Sequence, residues 1–344
     1  MDDRIRRRAT VHDVAREAGV SLATVDRVLN ARPGVRSETI ERVEAAIAAL
    51  GFTRDLSASL LARARDLGIA FILPSPTNAF MGSLGEAVAR QHGRAAAERV
   101  RLEIAHFPAL DAAALAARLD ALDAGDCDCA VVVATEDEPV RAAIERASRR
   151  GIAVVTLVSD LPGSARRHFV GIDNLAAGRT AAALLGRFCR AGEIAVIAGS
   201  MHLRDHRERY EGFAAELRRL RPELVLLDPI EGFESDARTG DAARNLLAAH
   251  GGLAGLYNLG AGNGGLVAAL GELEPAARPR VVAHELTEAT RHGLEGELID
   301  VIIDQNPDRE VQAAIAAARQ LALGGAGFGD TPIEIGIFLR TNLR

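Results

Sequence analysis

Apolar residues near the start of the chain recur twice at the spacing of one helix face. The first set contains Val11, Val14, Ala15 and Ala18, and the second contains Val25, Val28 and Leu29. Such a spacing predicts an amphipathic α-helix. Residue types that cap the first turn of a helix precede both sets, at Thr10 with Asp13 and at Ser21. Segment 10–30, TVHDVAREAGVSLATVDRVLN, is therefore predicted to form two short helices joined at Gly19.

A third helix is predicted between Ser37, a capping residue type, and Gly51, a helix-ending one. Its apolar face contains Ile40, Val43, Ile47 and Leu50. Two helices joined by a tight turn form the helix-turn-helix, whose second helix enters the major groove of DNA. The next segment, 52–62, can begin a short helix at Asp55. Because isolated short helices are marginal in water, we expect this one to form only against DNA or a second copy.

From Gly68 onward, short apolar runs alternate with helical patterns. Strands are predicted over 69–74, 130–135, 152–158, 193–198, 224–227, 253–258, 280–284 and 301–304. Helices are predicted over 82–98, 139–150, 175–190, 206–221, 235–250, 264–273, 287–293 and 308–323. Continuous apolar strands alternating with helices are typical of parallel sheets covered on both faces. The number of strands favours two sub-domains.

Length and charge agree with a small N-terminal domain, the head, attached to a larger domain, the body. The chain has 344 residues, which favours two or more domains, and its core must be aliphatic because aromatic residues make up only 3%. All 41 basic residues are arginine, and the net charge is −6. Residues 1–65 contain 12 arginines and nine acidic residues, whereas the remainder contains 29 and 38. A mildly basic head on an acidic body is consistent with a DNA reader attached to another domain, although chance asymmetry also gives a net of this size.

The cysteines and the N-terminus indicate the compartment. Cys127, Cys129 and Cys189 lack the spacing of a zinc site, so buried reduced thiols are expected, with no metal site. The chain begins without the apolar region of a signal peptide and contains no run of about 18 apolar residues. We therefore expect a cytoplasmic, nucleoid-associated protein without membrane contact.

The segment 10–30 resembles the DNA-binding signature of the lactose-repressor (LacI) family of bacterial transcription regulators. The resemblance continues through Gly34-Val35-Arg36 and the third helix. The family commonly has TVSRVLN and a hinge that opens with Asn; this chain has Asp26 and Asp55 there. The body resembles periplasmic sugar-binding proteins of the ribose-binding type.

This resemblance implies an N-terminal all-α helix-turn-helix domain plus an α/β two-lobed periplasmic-binding-protein-like (type I) sensor domain. The expected boundaries are 1–54 for the DNA-binding domain, 55–66 for the hinge helix and 67–344 for the effector-binding and dimerisation domain. Within the last, the N-lobe is expected over 67–170 and 306–328, and the C-lobe over 171–305 and 329–344.

The function it implies is ligand-responsive, sequence-specific DNA binding by an allosteric transcription regulator, with repression as the expected mode. A homodimer on a pseudo-palindromic operator is expected, without a cofactor or catalytic residues. The resemblance leaves open whether the effector releases DNA or promotes binding.

The expected DNA contacts lie in the second helix and in the hinge. The full set is Thr10, Ser21, Leu22, Ala23, Thr24, Arg27, Asn30, Ala58 and Leu61. Hydroxyls at the helix start suit phosphate, whereas Arg27 can bind guanine with two hydrogen bonds. Leu22 is equally compatible with a thymine contact and with a core position. By resemblance, Leu61 wedges into the minor groove; alternatively, it packs on the body.

The expected effector contacts lie at strand ends and crossovers. The full set is Asn78, Phe80, Asp160, Arg207, Phe233, Asn258, Asn263, Glu285 and Gln305. By resemblance, Asn78 and Phe80 match an Asn-x-Phe of ribose-type binders, and Arg207 and Gln305 match a ligand arginine and glutamine. Glu285 stands where the family commonly has Asp. Amide, carboxylate, arginine and aromatic groups together suit a sugar, a sugar acid or a cyclitol, although each residue alone could be a cap or a surface group.

One motif suggests an enzyme instead. Residues 260–265, GAGNGG, form a GxGxxG between a predicted strand and helix, and Glu285 follows Gly265 by 20 residues. That context is typical of dinucleotide binding, so the alternative is an NAD-dependent oxidoreductase. Against it, the motif lies deep in the chain without an evident acid–base set. A secreted binding protein is the third hypothesis, opposed by the added N-terminal module.

Overall fold

The computed structural model of the chain describes residues 9–29, 34–50, 52, 65–76, 78–323 and 330–343. Three helices come first: α1 (Val11–Ala18), α2 (Leu22–Leu29) and α3 (Ser37–Leu50). Their buried apolar core consists of Val14, Ala15, Ala18, Val25, Val43, Ala46 and Phe52. The hinge segment predicted around Asp55 lies outside the described residues.

Local sequence explains the first helix ends. Thr10 and Asp13 form a capping box at α1, and Gly19 closes this helix with a φ of 63°, a left-handed conformation that favours glycine. The cap predicted at Ser37 is wrong by one position. The carbonyl of Arg36 accepts the N–H groups of Thr39 and Ile40, so Ser37 is the first helical residue.

The first sheet of the body contains six parallel strands in the order β12-β5-β4-β3-β1-β2. These strands are β1 (Leu67–Pro74), β2 (Val100–Phe107), β3 (Cys129–Val132), β4 (Ala153–Leu157), β5 (His168–Ile172) and β12 (Thr331–Ile333). The associated helices are α4 (Ala79–Ala97), α5 (Ala112–Asp120), α6 (Glu138–Arg149) and α12 (Pro307–Ala322). Strands β1, β3 and β4 bury nearly every residue, which is why they appear as continuous apolar runs.

The second sheet has the order β13-β11-β10-β9-β6-β7, with β8 also paired to β6 and only β13 antiparallel. Its strands are β6 (Gly192–Ala198), β7 (Leu224–Leu226), β8 (Ile230–Glu231), β9 (Gly255–Asn258), β10 (Arg280–His284), β11 (Val301–Asp304) and β13 (Gly336–Phe338). Its helices are α7 (Asn174–Phe188), α8 (Arg204–Leu220), α9 (Asp236–Ala249), α10 (Asn263–Gly271) and α11 (Glu288–Glu295). Short 3-10 turns occur at Pro275–Ala277 and Arg340–Asn342.

The chain passes between the two sheets three times, after β5, after β11 and after β12. The predicted lobe boundaries differ from this topology in two places. Residues 171–172 and 331–333, expected in the C-lobe, pair within the first sheet. The physical reason is that β12 is a short edge strand, which carries little sequence signal before the chain leaves for β13.

Six described elements were not predicted: β2, β5, β8, β12, β13 and α5. Strand β2 is instructive because it lies at the sheet edge, where its sequence VRLEIAHF alternates buried and exposed positions. Several of the others are only two or three residues long. Short or edge strands bury one face or little area, so their apolar signal is weak.

The core and the cysteines follow the composition. One cluster of aliphatic residues runs from the first sheet into the second, and Phe213 and Tyr257 are among its few aromatic members. Cys127, Cys129 and Cys189 are free and buried, as expected, and burial raises the pKa of the Cys127 thiol to about 11.

Among the residues that the structure describes, no helix is long and apolar enough to cross a membrane. In the same residues, no group of three or more potential ligands is placed to hold a metal ion.

Candidate functional site

The second helix presents its predicted DNA-contacting residues to solvent. Ser21, Ala23 and Arg27 are exposed, while Val25 faces the core. Leu22 is 42% exposed. It therefore occupies a solvent-facing position and not a position in the core of the three helices. This face therefore offers a hydroxyl, an apolar surface and a guanidinium to a groove.

Hydroxyls organise the start of the second helix. Thr24 donates its N–H to Ser21 Oγ at 3.2 Å, and the two hydroxyls lie 2.9 Å apart. Thr10 donates its N–H and its hydroxyl to Asp13 Oδ2. Its hydroxyl oxygen also accepts the Asp13 N–H, so the side chain caps α1. Three other residues predicted to contact DNA lie outside the described residues: Asn30, Ala58 and Leu61. The DNA contacts as a set stay a prediction.

A cleft lies between the carboxyl ends of the two sheets. This is where parallel sheets of this strand order bind ligands, because the helices on either side diverge there. The first lobe lines it with Asn78, Phe80, Thr135, Val158 and Ser159; the second lobe and the β11 crossover line it with Asp205, His206, Arg209, Glu234, Glu285 and Gln305. The cleft is thus apolar on part of its wall and strongly polar on its floor.

Four of the predicted effector residues meet in this cleft: Asn78, Phe80, Glu285 and Gln305. Asn78 caps α4 by accepting the N–H of Met81 at 2.9 Å, and Phe80 is buried beside it. Gln305 donates to Glu285 Oε1 at 2.6 Å. Both side chains are almost wholly buried, at 1% and 4% exposure.

The other five predicted residues do not line this cleft, and three of them are Asp160, Phe233 and Arg207. Asp160 accepts hydrogen bonds from Thr156 Oγ1 at 2.6 Å and from Arg166 Nη2 at 2.7 Å, so it holds its own loop and does not line the cleft. Phe233 is 44% exposed and stacks under the Arg238 guanidinium at 4.6 Å. Asp160 was expected in the cleft from its place at a strand end and Phe233 from a family stacking position, but neither side chain lines the cleft, and their effector contacts stay predictions.

Arg207, the third, lies at the cleft rim. Its guanidinium pairs with Glu136 and donates to the carbonyls of Met201 and His202. The arginine inside the cleft is Arg209, which is 1% exposed. The two arginines face different sides because two residues along a helix turn the side chain by about 200°, and the effector contact expected of Arg207 stays a prediction.

Helical periodicity could have identified Arg209. Asp205, Arg209 and Phe213 are spaced by four residues and all are buried, so they share the inward face of α8. Arg209 donates to Asn174 Oδ1 at 2.9 Å and to the carbonyl of Leu259 at 2.8 Å. These bonds leave Nη2 as the guanidinium nitrogen without a hydrogen-bond partner among the described residues.

The two predicted asparagines support the loop after β9. Asn258 donates to Asn263 Oδ1 at 2.8 Å, and Asn263 donates to the carbonyl of His284 at 3.0 Å. Neither lines the main cleft, although Asn263 borders a smaller neighbouring cavity. Their amides fix the loop that carries Ala261 to the cleft wall.

Two sets of polar contacts already bridge the cleft. Asn78 Nδ2 donates to Glu234 Oε2 at 2.9 Å and separates the main cavity from the smaller one. At the rim, Glu136 of the first lobe pairs with Arg204 at 2.8 Å and with Arg207. Burial raises the pKa of Glu136, but these arginines more than offset it and hold the pKa below its usual value.

Backbone geometry at the cleft is unusual. Val158, Glu234 and Glu285 have φ angles of 66°, 60° and 69°. L-residues other than glycine rarely adopt this left-handed region, and a β-branched valine does so least readily. Such conformations cluster at binding sites, where surrounding contacts enforce them.

Burial dominates the electrostatics of the cleft floor. It raises the pKa of Glu285 to about 8, against the opposing charge of Arg209, whose Nη1 lies 3.8 Å from Glu285 Oε1. Behind the cleft, Glu310 is 0% exposed, and burial together with Glu285 raises its pKa far above its usual value. Burial also lowers the pKa of His284, which hydrogen-bonds Tyr257 Oη at 2.7 Å.

Six cleft-lining side chains each have a buried polar atom without a hydrogen-bond partner among the described residues. These atoms are Thr135 Oγ1, Ser159 Oγ, Asp205 Oδ1, Arg209 Nη2, Glu285 Oε2 and Gln305 Oε1. Buried polar groups are normally paired, because an unpaired one loses its hydration without compensation. Because all six side chains line the same cavity, they indicate a site for a molecule rich in hydrogen-bonding groups.

The glycine-rich loop 260–265 has a packing explanation. A Cβ at Gly265 would overlap the Asp236 backbone, and one at Gly262 would overlap Thr239, so these glycines allow α9 and α10 to pack closely. Gly264 N–H donates to Asp236 Oδ1 at 3.0 Å. A carboxylate thus occupies the helix start where a dinucleotide would need its pyrophosphate, and the dehydrogenase alternative has no support.

Fold and cleft together define a two-lobed ligand-binding protein fused to a helix-turn-helix head. Residues 69–326 match the family described as periplasmic binding protein domain, and residues 10–55 match that of bacterial regulatory proteins of the lacI family. The chain therefore belongs to the periplasmic binding protein domain family and carries the head of lacI-family regulators.

Curated relatives resemble the N-terminal region. The chain is 40% identical over 79 residues to the HTH-type transcriptional regulator pepR1 of Lactobacillus delbrueckii and 41% identical over 86 residues to the regulator GalS of Salmonella typhimurium. It is 38% identical over 79 residues to catabolite control protein A of Priestia megaterium. These alignments cover 23%, 24% and 23% of this chain and only about a quarter of each relative: 24%, 25% and 24%.

Solved structures resemble the body. An ABC-transporter solute-binding protein from Burkholderia graminis, in complex with D-arabinose, has a TM-score of 0.75 at 22% identity, over 81% of this chain and 97% of that one. GanP, a glucose-galactose binding protein from Geobacillus stearothermophilus, has a TM-score of 0.72 at 20% identity, over 81% and 99%. At these identities the likeness shows the fold.

Proposed function

We propose that this protein is a DNA-binding transcription regulator whose cleft binds a polyhydroxylated effector, with repression as its expected mode. The observation that carries the proposal is the joint presence of a lacI-family head and a cleft with six unpaired buried polar atoms. Relatives that share the head are transcription regulators, and neighbours that share the cleft fold bind sugars. Segments 10–55 and 69–326 support a division into reader and sensor.

On the DNA side, we expect Arg27 to read a guanine edge and Ser21 with Thr24 to contact phosphate. The modest positive charge of the head favours binding by two copies, since each phosphate contact adds affinity. A two-fold homodimer would read a pseudo-palindromic operator. Under this proposal the protein works on the chromosome, within the cytoplasm.

The cleft gives a route from effector to DNA. A ligand that satisfies Ser159 in the first lobe and Arg209 in the second binds the closed arrangement better than an open one. It can shift the equilibrium between arrangements only by that differential affinity. The change in lobe orientation would then alter the spacing of the two heads.

The experiment selects DNA from a random pool with the purified full chain and then repeats mobility shifts with each sugar that raises the melting temperature. We expect two-fold symmetric sequences, and an operator affinity that changes when effector is added. Failure to enrich any sequence would contradict the DNA-binding proposal. An unchanged shift with every stabilising ligand would contradict the coupling.

A further inference from the structure

The unpaired atoms of the cleft are unequal in kind. Asp205 Oδ1 and Gln305 Oε1 are acceptors, as is Glu285 Oε2 once this carboxyl has lost its proton, whereas Arg209 Nη2 is a donor. The hydroxyl of Ser159, like that of Thr135, can act either way. A ligand that pairs all of these groups must therefore present more donors than acceptors to the cleft floor.

Two of these acceptor residues are joined directly, and Asp205 shares a helix face with the donor Arg209. Gln305 Nε2 donates to Glu285 Oε1, whose oxygen also faces Arg209 Nη1 at 3.8 Å. Asp205 precedes Arg209 by one turn on the inward face of α8. Asp205, Arg209, Glu285 and Gln305 are each at least 95% buried.

Acidic groups outnumber basic groups in the cleft. Three carboxyl groups line it, from Asp205, Glu234 and Glu285, against one guanidinium and the imidazole of His206. The imidazole lies 3.7 Å from Asp205 and 3.8 Å from Glu234, so both nearby carboxylates compete for it. An anionic ligand would add a further negative charge to this set.

A fourth carboxylate lies behind the floor. Glu310 on α12 is fully buried, and neither of its oxygens has a hydrogen-bond partner within the described part of the chain. Its charge interacts with those of Glu285 and Arg209. Buried carboxylates in excess of cations are costly unless a positive charge arrives with the ligand.

We propose that the effector carries a protonated amine, as in an amino sugar or an aminocyclitol, and that its ammonium group is seated against Asp205, Glu285 and Gln305. An ammonium has three donors, no acceptor and a positive charge, which complements this surface on every count. The remaining hydroxyls of the ligand are left for Ser159, Thr135 and Arg209. This inference rests on the proposed sensor function and specifies its ligand class.

The test is a matched ligand panel on the full chain. D-glucosamine, D-galactosamine, D-mannosamine and 6-amino-6-deoxyglucose are compared by calorimetry with the parent hexoses and the corresponding uronates. We expect at least one amine to bind on the order of tenfold more tightly than its parent, which is the scale of a hydrogen bond to a charged group. We also expect Glu285 to release its proton on binding, because the ammonium group favours the ionised carboxylate. This release is seen as a dependence of the heat on the buffer.

Two variants and one control locate the effect. Glu285→Gln and Asp205→Asn should each reduce amine affinity by about tenfold and affect the parent hexose less. Glu295→Gln, on the exposed side of α11, should leave both affinities unchanged. Because the panel on the unmodified protein already decides the question, a variant that fails to fold does not obscure it.

The outcomes separate this inference from the broader proposal. If neutral hexoses bind as tightly as their amino counterparts, or uronates bind best, the amine assignment is wrong and the sugar-sensor proposal stands. If no polyhydroxylated compound binds, both fail. If amines bind preferentially but Glu285→Gln and Asp205→Asn keep the preference, the assigned seat is wrong.

Discussion

Replacing Glu285 by glutamine should change how stability depends on pH. Burial raises the pKa of this carboxyl from 4.5 to about 8. The folded protein therefore holds the proton more tightly than the unfolded chain does. The stabilisation is fully present below the unfolded pKa and is lost as pH rises toward the folded value, so the window lies between 4.5 and about 8.

The magnitude follows from the width of that window. Within it, each pH unit costs about 1.4 kcal/mol of unfolding free energy for one such group. Between about pH 5.5 and about pH 7.5, the parent should lose roughly 2–3 kcal/mol relative to the Glu285→Gln variant. Glutamine retains an oxygen that can accept the Gln305 amide, so the comparison isolates the proton.

Charged and polar groups from several elements face Glu285 and remain in the variant. They are Arg209 from α8, Glu234 from the loop after β8, Asp304 and Gln305 from the end of β11, and Glu310 from α12. Both proteins contain them, so only the part of their titration that depends on the charge of Glu285, as for Glu310, enters the difference.

The assay is urea unfolding of both proteins across this pH range, followed by far-ultraviolet circular dichroism. Glu295→Gln provides an exposed control that should follow the parent. Parallel pH profiles for the parent and Glu285→Gln would refute the reasoning, because they would mean that Glu285 is ionised in the folded state.

Three further outcomes are expected. Arg27→Ala should weaken operator binding by about 1–3 kcal/mol in a mobility-shift assay and relax the preference for guanine at one position; equal loss on all sequences would indicate a phosphate contact instead. Arg209→Met should abolish effector binding in calorimetry, whereas Arg207→Gln at the rim should lower the effector affinity by no more than about tenfold. If Arg207→Gln abolishes binding and Arg209→Met does not, Arg207 is the arginine that binds the effector. Gly265→Ala should destabilise the chain by roughly 1–3 kcal/mol in urea because its Cβ would overlap the Asp236 backbone; a neutral effect would show that α9 and α10 can separate freely.

The elements with strong periodicity were predictable from sequence. The bounds of β10 and β11 agree with the prediction, and the capping box at Thr10 forms as expected. The family resemblance is confirmed by the matches over 10–55 and 69–326. In each case, local residue chemistry and burial point to the same structure, so a single sequence is sufficient.

The cleft residues were only partly predictable. Glu285 and Gln305 follow their strands directly, so strand position places them. Phe233 and Asp160 also follow strands, but their orientation is set by tertiary partners, Arg238 and Arg166, which no local pattern reveals. Sequence therefore predicts which residues stand at strand ends near such a site more reliably than it predicts the direction in which each side chain points.

The three passages of the chain between the sheets affect the order in which the protein can be made. Helix α12 packs against β1, β3, β4 and β5, and β12 completes the edge beside β5. Both come from beyond residue 306, after nearly all of the second lobe. During synthesis the first lobe must therefore remain incomplete until the ribosome has produced the second, whereas every core residue described in the three-helix head is made by Phe52. A nascent chain thus has these three helices long before either lobe of the cleft is complete.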